Sequence, residues 1–314
     1  MDNVKKLPLV SVILATFKGE KYLQTQLDAV FNQTYPNLEV IAIDDVSTDN
    51  TLNILNEYAQ KHSNMKVVVN EKNLGPIKNF QKGCELSSGD LIALCDQDDY
   101  WVTEKISRLV DEIGNYQMIY SDSFICNENL EKTGRKISDN VACQTLYSCL
   151  QQAVFGRIYG HATLFKRELY HTSTPFLDVI SHDWWLCYNA TLNGGIKYLN
   201  EPLNFYRQHS HNYYGAVGTK RKKKIAEDKK AKKLLERKIT IKRINAFYEA
   251  CPLTLQKEKN VLQKLVKSYN SFSITNNFLR MFIFFKYHKL LLAMKKRSLI
   301  RQYLFCLKTF VSIV

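Results

Sequence analysis

The sequence predicts an α/β fold: a mixed, mostly parallel sheet with helices on both faces, followed by a basic helical region. Three observations predict it. Short apolar runs rich in β-branched residues recur through the first hundred residues, helix-length segments separate them, and the composition changes abruptly near residue 220. A chain of 314 residues, 45% hydrophobic and 24% charged, is long enough for one large domain with an appendage, and its composition excludes disordered and collagen-like classes.

Taken in order, 9–15 (LVSVILA) reads as a buried strand that ends in the polar loop TFKGE, and 20–33 as a helix. Next come a strand at 38–43 (LEVIAI), a helix at 49–62 starting from Asp49, and a strand at 66–70. The loop NLGP (73–76) precedes a helix over 77–87, and 90–95 (DLIALC) is a fourth strand that runs into DQDDYW. Alternation of this kind implies a parallel sheet. A helix at 103–113, a strand at 116–121, a hairpin-like stretch at 122–135, helices at 144–152 and 181–193 and a strand at 196–200 complete the expectation.

The net charge of +14 suggests nucleic acid until it is divided along the chain. Residues 1–219 hold about 19 bases and 25 acids, and 220–314 about 25 bases and 5 acids. A phosphate-backbone surface would be positive where the fold is, so no nucleic-acid partner is expected, although a non-catalytic basic nucleic-acid or nucleotide-binding protein is the alternative reading. Eight cysteines without Cys-x-x-Cys or zinc-like spacing read as reduced packing residues. The polar start, Met1 to Pro8, lacks a secretory core, and no run reaches the length of a membrane span, so a cytoplasmic location is expected.

Asp96, Asp98 and Asp99 follow an apolar strand directly, which crowds carboxylates at the carboxyl edge of the sheet. Such crowding is costly without a cation, and hard oxygen ligands suit Mn²⁺ or Mg²⁺ carrying the phosphates of a nucleotide diphosphate. Asp44 and Asp45 end the second strand at the same edge. Helix capping is the other reading of both clusters.

On these residues the chain resembles glycosyltransferase family 2, inverting enzymes of the GT-A fold. The resemblance covers about 1–215 and rests on SVILATFKGEKYL (11–23), the stretch from Asn32 through Asp44 and Asp45 to Thr51, NLG (73–75), SGDLIALCDQDDYW (88–101) and SHDWWL (181–186) in this order. It implies a GT-A glycosyltransferase domain at 1–219, with a nucleotide-sugar half (1–110) and an acceptor half (111–219). By the same resemblance Thr16 and Phe17 line the nucleoside pocket, Asp45 aided by Asp44 bonds the base, Asp96 faces the ribose or a metal-bound water, Asp98 is the cation ligand, and Asp99 belongs to the donor site. Asp183 is the general base, with Trp184 and Trp185 as apolar walls.

The segment YRQHSHN (206–212) resembles the rhamnosyltransferase-like branch of bacterial surface-polysaccharide enzymes, which implies that Arg207 contacts the diphosphate and His209 completes the cation shell. His161, in GHATLF (160–165), is either packed or catalytic. The donor expected from the resemblance is UDP-hexose or dTDP-L-rhamnose, and the acceptor a lipid-linked saccharide in O-antigen or capsule synthesis. A processive synthase of the family would need membrane spans and a Gln-x-x-Arg-Trp motif, which this sequence lacks, and a nucleotidyltransferase would need a Gly-rich, Arg-containing loop after the first strand. In 276–314, Phe278, Met281, Phe282, Phe285, Leu292, Leu299, Tyr303 and Phe310 recur between Lys and Arg at helical intervals. That pattern suits peripheral attachment of 220–314 to an anionic membrane surface at its cytoplasmic face, or packing of the stripe on the protein's own core.

Overall fold

A computed structural model describes residues 7–209 and 229–313. Residues 220–228 of the charged run, and the last three residues of YRQHSHN, lie outside the described residues.

The amino-terminal alternation is as expected: β1 (Val10–Thr16), α1 (Leu23–Phe31), β2 (Leu38–Asp44), α2 (Thr51–Lys61), β3 (Met65–Val69), α3 (Gly75–Leu86) and β4 (Leu91–Asp96). There follow β5 (Tyr100–Trp101), α4 (Lys105–Ile113), β6 (Met118–Cys126), β7 (Lys132–Lys136), β8 (Thr163–Lys166), α5 (Arg167–Ser173), α6 (His182–Leu192) and β9 (Ile196–Arg207). Among the described residues these strands form one sheet in the order β3-β2-β1-β4-β8-β6-β9-β5, with β7 on β6. β1 to β4 are parallel to one another, β8 runs antiparallel between β4 and β6, and β9 is parallel to β6.

Alternation along β1 explains how one strand serves two cores. Val10, Val12 and Leu14 point to the face covered by Leu23 and Leu27 of α1 and Ile106 and Leu109 of α4, whereas Ile13 points to the face that holds Phe80 of α3 and Tyr188 of α6. Both faces are covered, and the strand's two polar residues, Ser11 and Thr16, are buried and hydrogen-bonded to Glu39 and Asp44.

The helix expected at 144–152 is not there. Its only helical part is a 3-10 turn at Cys149–Gln151, and Leu146 exchanges both backbone hydrogen bonds with Ile196 at the start of β9. Extended pairing with a strand distant in sequence outweighs the local helical pattern.

The basic region is helical: α7 (Lys229–Ala250), α8 (Gln256–Tyr269), α9 (Ile274–Leu291) and α10 (Leu299–Lys308). Part of it packs on α6. Phe247 of α7 stacks on Tyr188 of α6 at 4.1 Å, and the Tyr188 hydroxyl donates to the Phe247 carbonyl at 2.6 Å. Leu292 of the apolar stripe is buried and Met281, Phe285 and Phe310 are half-buried, while Phe278, Phe282, Leu299 and Tyr303 are exposed.

Arg280, fully buried in α9, ties this bundle together by donating to the carbonyls of Ser268, Thr309 and Phe310 and to Asn277 Oδ1. Arg280→Ala removes the donor and leaves those acceptors buried, so urea denaturation should show a loss of about 3 kcal/mol. An unchanged midpoint would mean that water reaches these carbonyls in the native state.

Candidate active site

Parallel pairing brings the carboxyl ends of three strands together. Thr16 lies opposite Asp44, and Ala15 opposite Asp96, so the loops after β1, β2 and β4 share one edge of the sheet. A cavity of about 480 Å³ opens there, and its walls include Thr16, Phe17, Asp45, Asp96, Asp98 and Asp183.

Asp44 and Asp45 have different positions. Asp44 is buried behind the cavity and accepts hydrogen bonds from the Thr16 hydroxyl (3.1 Å) and from the Ser47 backbone (2.9 Å) and hydroxyl. Asp45 reaches the cavity wall and accepts from Asn70 Nδ2 (2.7 Å), Leu74 N (2.8 Å) and Gly75 N (2.8 Å), which fixes the NLGP loop. Between Asp45 and Ser47 the chain turns through Val46 at φ +64°, a conformation that costs a β-branched residue about 1–3 kcal/mol. The Asp44–Ser47 bonds hold that turn. Phe17 stands 43% exposed at the mouth, as a ring that stacks on a base would.

Gln97 carries no signal in the sequence that would mark it as part of the site. Its side chain accepts from Phe17 N at 2.9 Å and donates to Phe17 O at 3.0 Å, which joins the β1 loop to the acidic turn. Only the adjacency of β1 and β4 makes this amide useful.

The acidic turn places its carboxylates at different depths. Asp96 is 41% exposed, Asp98 19%, and Asp99 is fully buried. His209 Nε2 lies 2.8 Å from Asp98 Oδ2, close enough for both to bind one cation. Beneath them Asp96, Asp99 and the buried His161 offer one ligand atom each within 4.8 Å of one another. His161 Nδ1 stands 3.3 Å from Asp99 Oδ2, and its Nε2 pairs with the Ser123 hydroxyl at 3.1 Å. Burial, followed by the neighbouring Asp98 and Asp96, pushes Asp99 up to about 8. Burial would also raise Asp96, but the His161 ring outweighs it and holds Asp96 below the usual carboxylate range. For His161 burial acts to lower the pKa, and the Asp99 and Asp96 carboxylates reverse the direction. Asp99 Oδ2 is buried without a hydrogen-bond donor, and this oxygen-and-imidazole set has the chemistry of a Mn²⁺ or Mg²⁺ site. His161 is thus packed and electrostatically engaged at once.

Arg207 lies beside the acidic turn and does not line the cavity. Its backbone N–H donates to Asp99 Oδ1 (3.0 Å), Nε to the Asp98 carbonyl (2.7 Å) and Nη1 to the Glu128 carbonyl (2.6 Å), and its guanidinium lies 4.4 Å from the centre of the Tyr22 ring. β9 delivers both Arg207 and His209 here because it pairs with β5, the two-residue strand that follows the acidic turn.

Asp183 occupies the first turn of α6, and its Oδ1 accepts from Trp184 N at 2.7 Å. Next to it the His182 ring packs on Phe80 in a tilted pair at 4.2 Å, and burial lowers its pKa. Trp184 and Trp185 face away from the cavity: their indoles donate to the Gln152 and Ser173 carbonyls, and both rings pack against Phe247. They support the helix instead of forming the apolar walls expected of them. The apolar walls come from Phe80, Tyr159 and Tyr206.

Comparison with known proteins identifies the fold and the family. A dTDP-rhamnosyl transferase, RfbG of Shigella flexneri, is 30% identical over 216 residues, covering 65% of this chain and 74% of that protein. The UDP-Glc:alpha-D-GlcNAc-diphosphoundecaprenol beta-1,3-glucosyltransferase WfaP of Escherichia coli is 27% identical over 253 residues, 78% of this chain and 93% of that one. Among solved structures, S. aureus TarS 1–349 in complex with UDP-GlcNAc superposes with a TM-score of 0.62 at 19% identity, over 96% of this chain and 80% of that one. The mannosyltransferase PcManGT of Pyrobaculum calidifontis, in complex with GDP-Man and Mn²⁺, gives 0.52 at 15% identity, over 98% and 86%. The sheet and its helices therefore have the GT-A architecture. Residues 11–173, which carry the strand ends, the acidic turn and His161, match the model for glycosyl transferase family 2, more than half of the chain, and the protein is a glycosyltransferase of that family.

Proposed function

We propose that this enzyme moves a sugar, with inversion, from dTDP-L-rhamnose or a UDP-hexose to a hydroxyl of a lipid-linked saccharide in bacterial O-antigen or capsule synthesis. The observation that carries the reading is the meeting of Asp183, from the acceptor half, with Asp45, Asp96 and Asp98 from the nucleotide-sugar half around one cavity. Phe17 and Asp45 hold the nucleoside, while Asp98 and His209, with Asp96 beside them, hold the cation. A bound Mn²⁺ or Mg²⁺ stabilises the charge that develops on the leaving diphosphate. Asp183 Oδ2 takes the proton of the acceptor hydroxyl as its oxygen bonds to the anomeric carbon and the bond to the diphosphate oxygen breaks. Arg207 acts from behind by fixing the turn that carries Asp98.

The RfbG and WfaP relatives support the two donor classes, and the WfaP description names a diphosphoundecaprenol acceptor. A thermal-shift panel of UDP, dTDP and GDP with Mn²⁺ tests the donor. One of the first two should raise the midpoint by several degrees and GDP should not; stabilisation by GDP alone would rule out both donor classes.

The same reading puts 220–314 against the cytoplasmic face of an anionic membrane. Residues 274–314 contain eight Lys or Arg and no Asp or Glu, and Ile274, Phe278, Phe282, Ile300 and Leu304 are exposed. No helix among the described residues is long and apolar enough to cross a membrane. Each cation near an anionic surface contributes about 1 kcal/mol before screening. Truncation at 219 would remove the Phe247 support of α6, so substitution is the better test. The protein should float with phosphatidylglycerol liposomes at low salt, and Phe278→Ser with Phe282→Ser and Leu304→Ser should stay at the bottom of the gradient. Wild-type protein that fails to float would rule the attachment out.

A further inference from the structure

Three cations, Arg157, Lys295 and Arg297, lie around the Phe155–Phe305 ring pair and do not line the cavity. Gly156 packs flat on Trp184, where a Cβ would overlap the indole, and this contact sets Arg157 next to the helix that bears Asp183. Arg157 lies two residues before Tyr159, a cavity wall, and the chain continues to Gly160, where a Cβ would stand 3.6 Å from Asp183 Cβ. From the other side the loop between α9 and α10 returns to this place: Val141 bridges to Lys295, and the Ala142 N–H donates to the Met294 carbonyl at 3.3 Å. Lys295 Nζ lies 4.0 Å from the centre of the Phe155 ring and the Arg297 guanidinium 4.7 Å from that of Phe305, with the two rings 5.8 Å apart. Lys296 donates instead to the Ser138 carbonyl.

Among the described residues no carboxylate forms an ion pair with Arg157, Lys295 or Arg297. Burial, then the charges of Arg157 and Arg297, push the Lys295 ammonium down to about 8. Like charges brought together without a counter-ion repel, and an anion bound among them removes that cost.

We propose that Arg157, Lys295 and Arg297 form an acceptor subsite that binds the phosphoryl group joining the saccharide acceptor to its lipid. The inference rests on the lipid-linked acceptor argued above. Two guanidinium groups and an ammonium match phosphate oxygens in charge and in donor geometry. Position favours the acceptor over a bulk headgroup: the segment that bears Arg157 runs on through Tyr159 and Gly160 in the cavity wall beside Asp183, while Arg297 is followed by the exposed Leu299, Ile300 and Leu304, so sugar, phosphate and hydrocarbon each meet a suitable surface in sequence.

The test uses the full chain with Mn²⁺ and the nucleotide that stabilises it best, and measures binding of farnesyl diphosphate, farnesol and phosphatidylglycerol vesicles by calorimetry and flotation. Arg157→Gln with Lys295→Gln and Arg297→Gln should weaken farnesyl diphosphate roughly a hundredfold, while nucleotide and farnesol binding stay as in wild type. Arg157→Gln alone, at an exposed position, should weaken it about tenfold without any folding defect. Arg157→Lys with Arg297→Lys should retain most of the affinity, and Lys286→Gln with Lys289→Gln should leave it unchanged. Equal farnesyl diphosphate binding by wild type and the triple variant, no binding by wild type, or a loss confined to vesicles would each overturn the subsite. Nucleotide binding is read in the same samples: its absence counts against the transferase reading, and the farnesyl diphosphate comparison still decides the subsite.

Discussion

Asp183→Asn should lower turnover roughly 10²–10⁴-fold and leave nucleotide affinity nearly unchanged. The amide keeps the shape of the carboxylate and can still accept the Trp184 N–H, so the first turn of α6 stays in place while the proton acceptor is lost. Measured as kcat for sugar transfer beside Kd for the donor nucleotide, the two effects separate. Asp178→Asn is the control, because that carboxylate sits 79% exposed on the preceding loop. Weakened nucleotide binding with unchanged turnover per bound donor would make Asp183 a donor-site residue and leave the base unassigned.

Asp98→Asn should have an effect of similar size for a different reason. It removes an ionised ligand 2.8 Å from His209 Nε2, and with it the charge that holds Mn²⁺ or Mg²⁺ at the leaving diphosphate. Transfer should fall about 10³-fold, and chelation of the wild-type enzyme should abolish it until Mn²⁺ or Mg²⁺ is restored. His209→Ala should be recoverable at higher Mn²⁺, as expected for a ligand lost from a shell that keeps its carboxylate. Asp99→Asn should be milder, since the cation proposed above rests on Asp98, His209 and Asp96, and an amide oxygen can still accept the Arg207 backbone N–H. Indifference to chelator, or full turnover by Asp98→Asn, would contradict the cation assignment.

The parts of the fold and site that are legible in the sequence are those whose signal is local. β1, β2 and β4 are apolar runs ending in polar loops, so residue pattern alone places their carboxyl ends, and with them Asp45, Asp96 and Asp98, at one edge of the sheet. α6 is legible too, with Asp183 at its start. β5 and β8, of two and four residues, are not. Strands so short have no periodicity of their own and exist because a neighbouring strand supplies their hydrogen bonds.

Sequence by itself determined the α/β class, the acidic edge and the charge asymmetry of the tail, since each depends on residue type and spacing within a few turns of chain, while the candidate base came from the resemblance to the family. Tertiary structure alone decided what those residues touch. It set Asp44 behind the cavity and Asp45 in its wall, turned Trp184 and Trp185 toward α7, made Arg207 a brace for the acidic turn, and buried His161 among the carboxylates that follow β4. It also divided the apolar stripe of the tail into a packed part and an exposed part. The physical reason is the same in each case. Hydrogen bonds and side-chain packing between segments distant in sequence fix where a side chain points, and no local pattern encodes which distant segment will be adjacent.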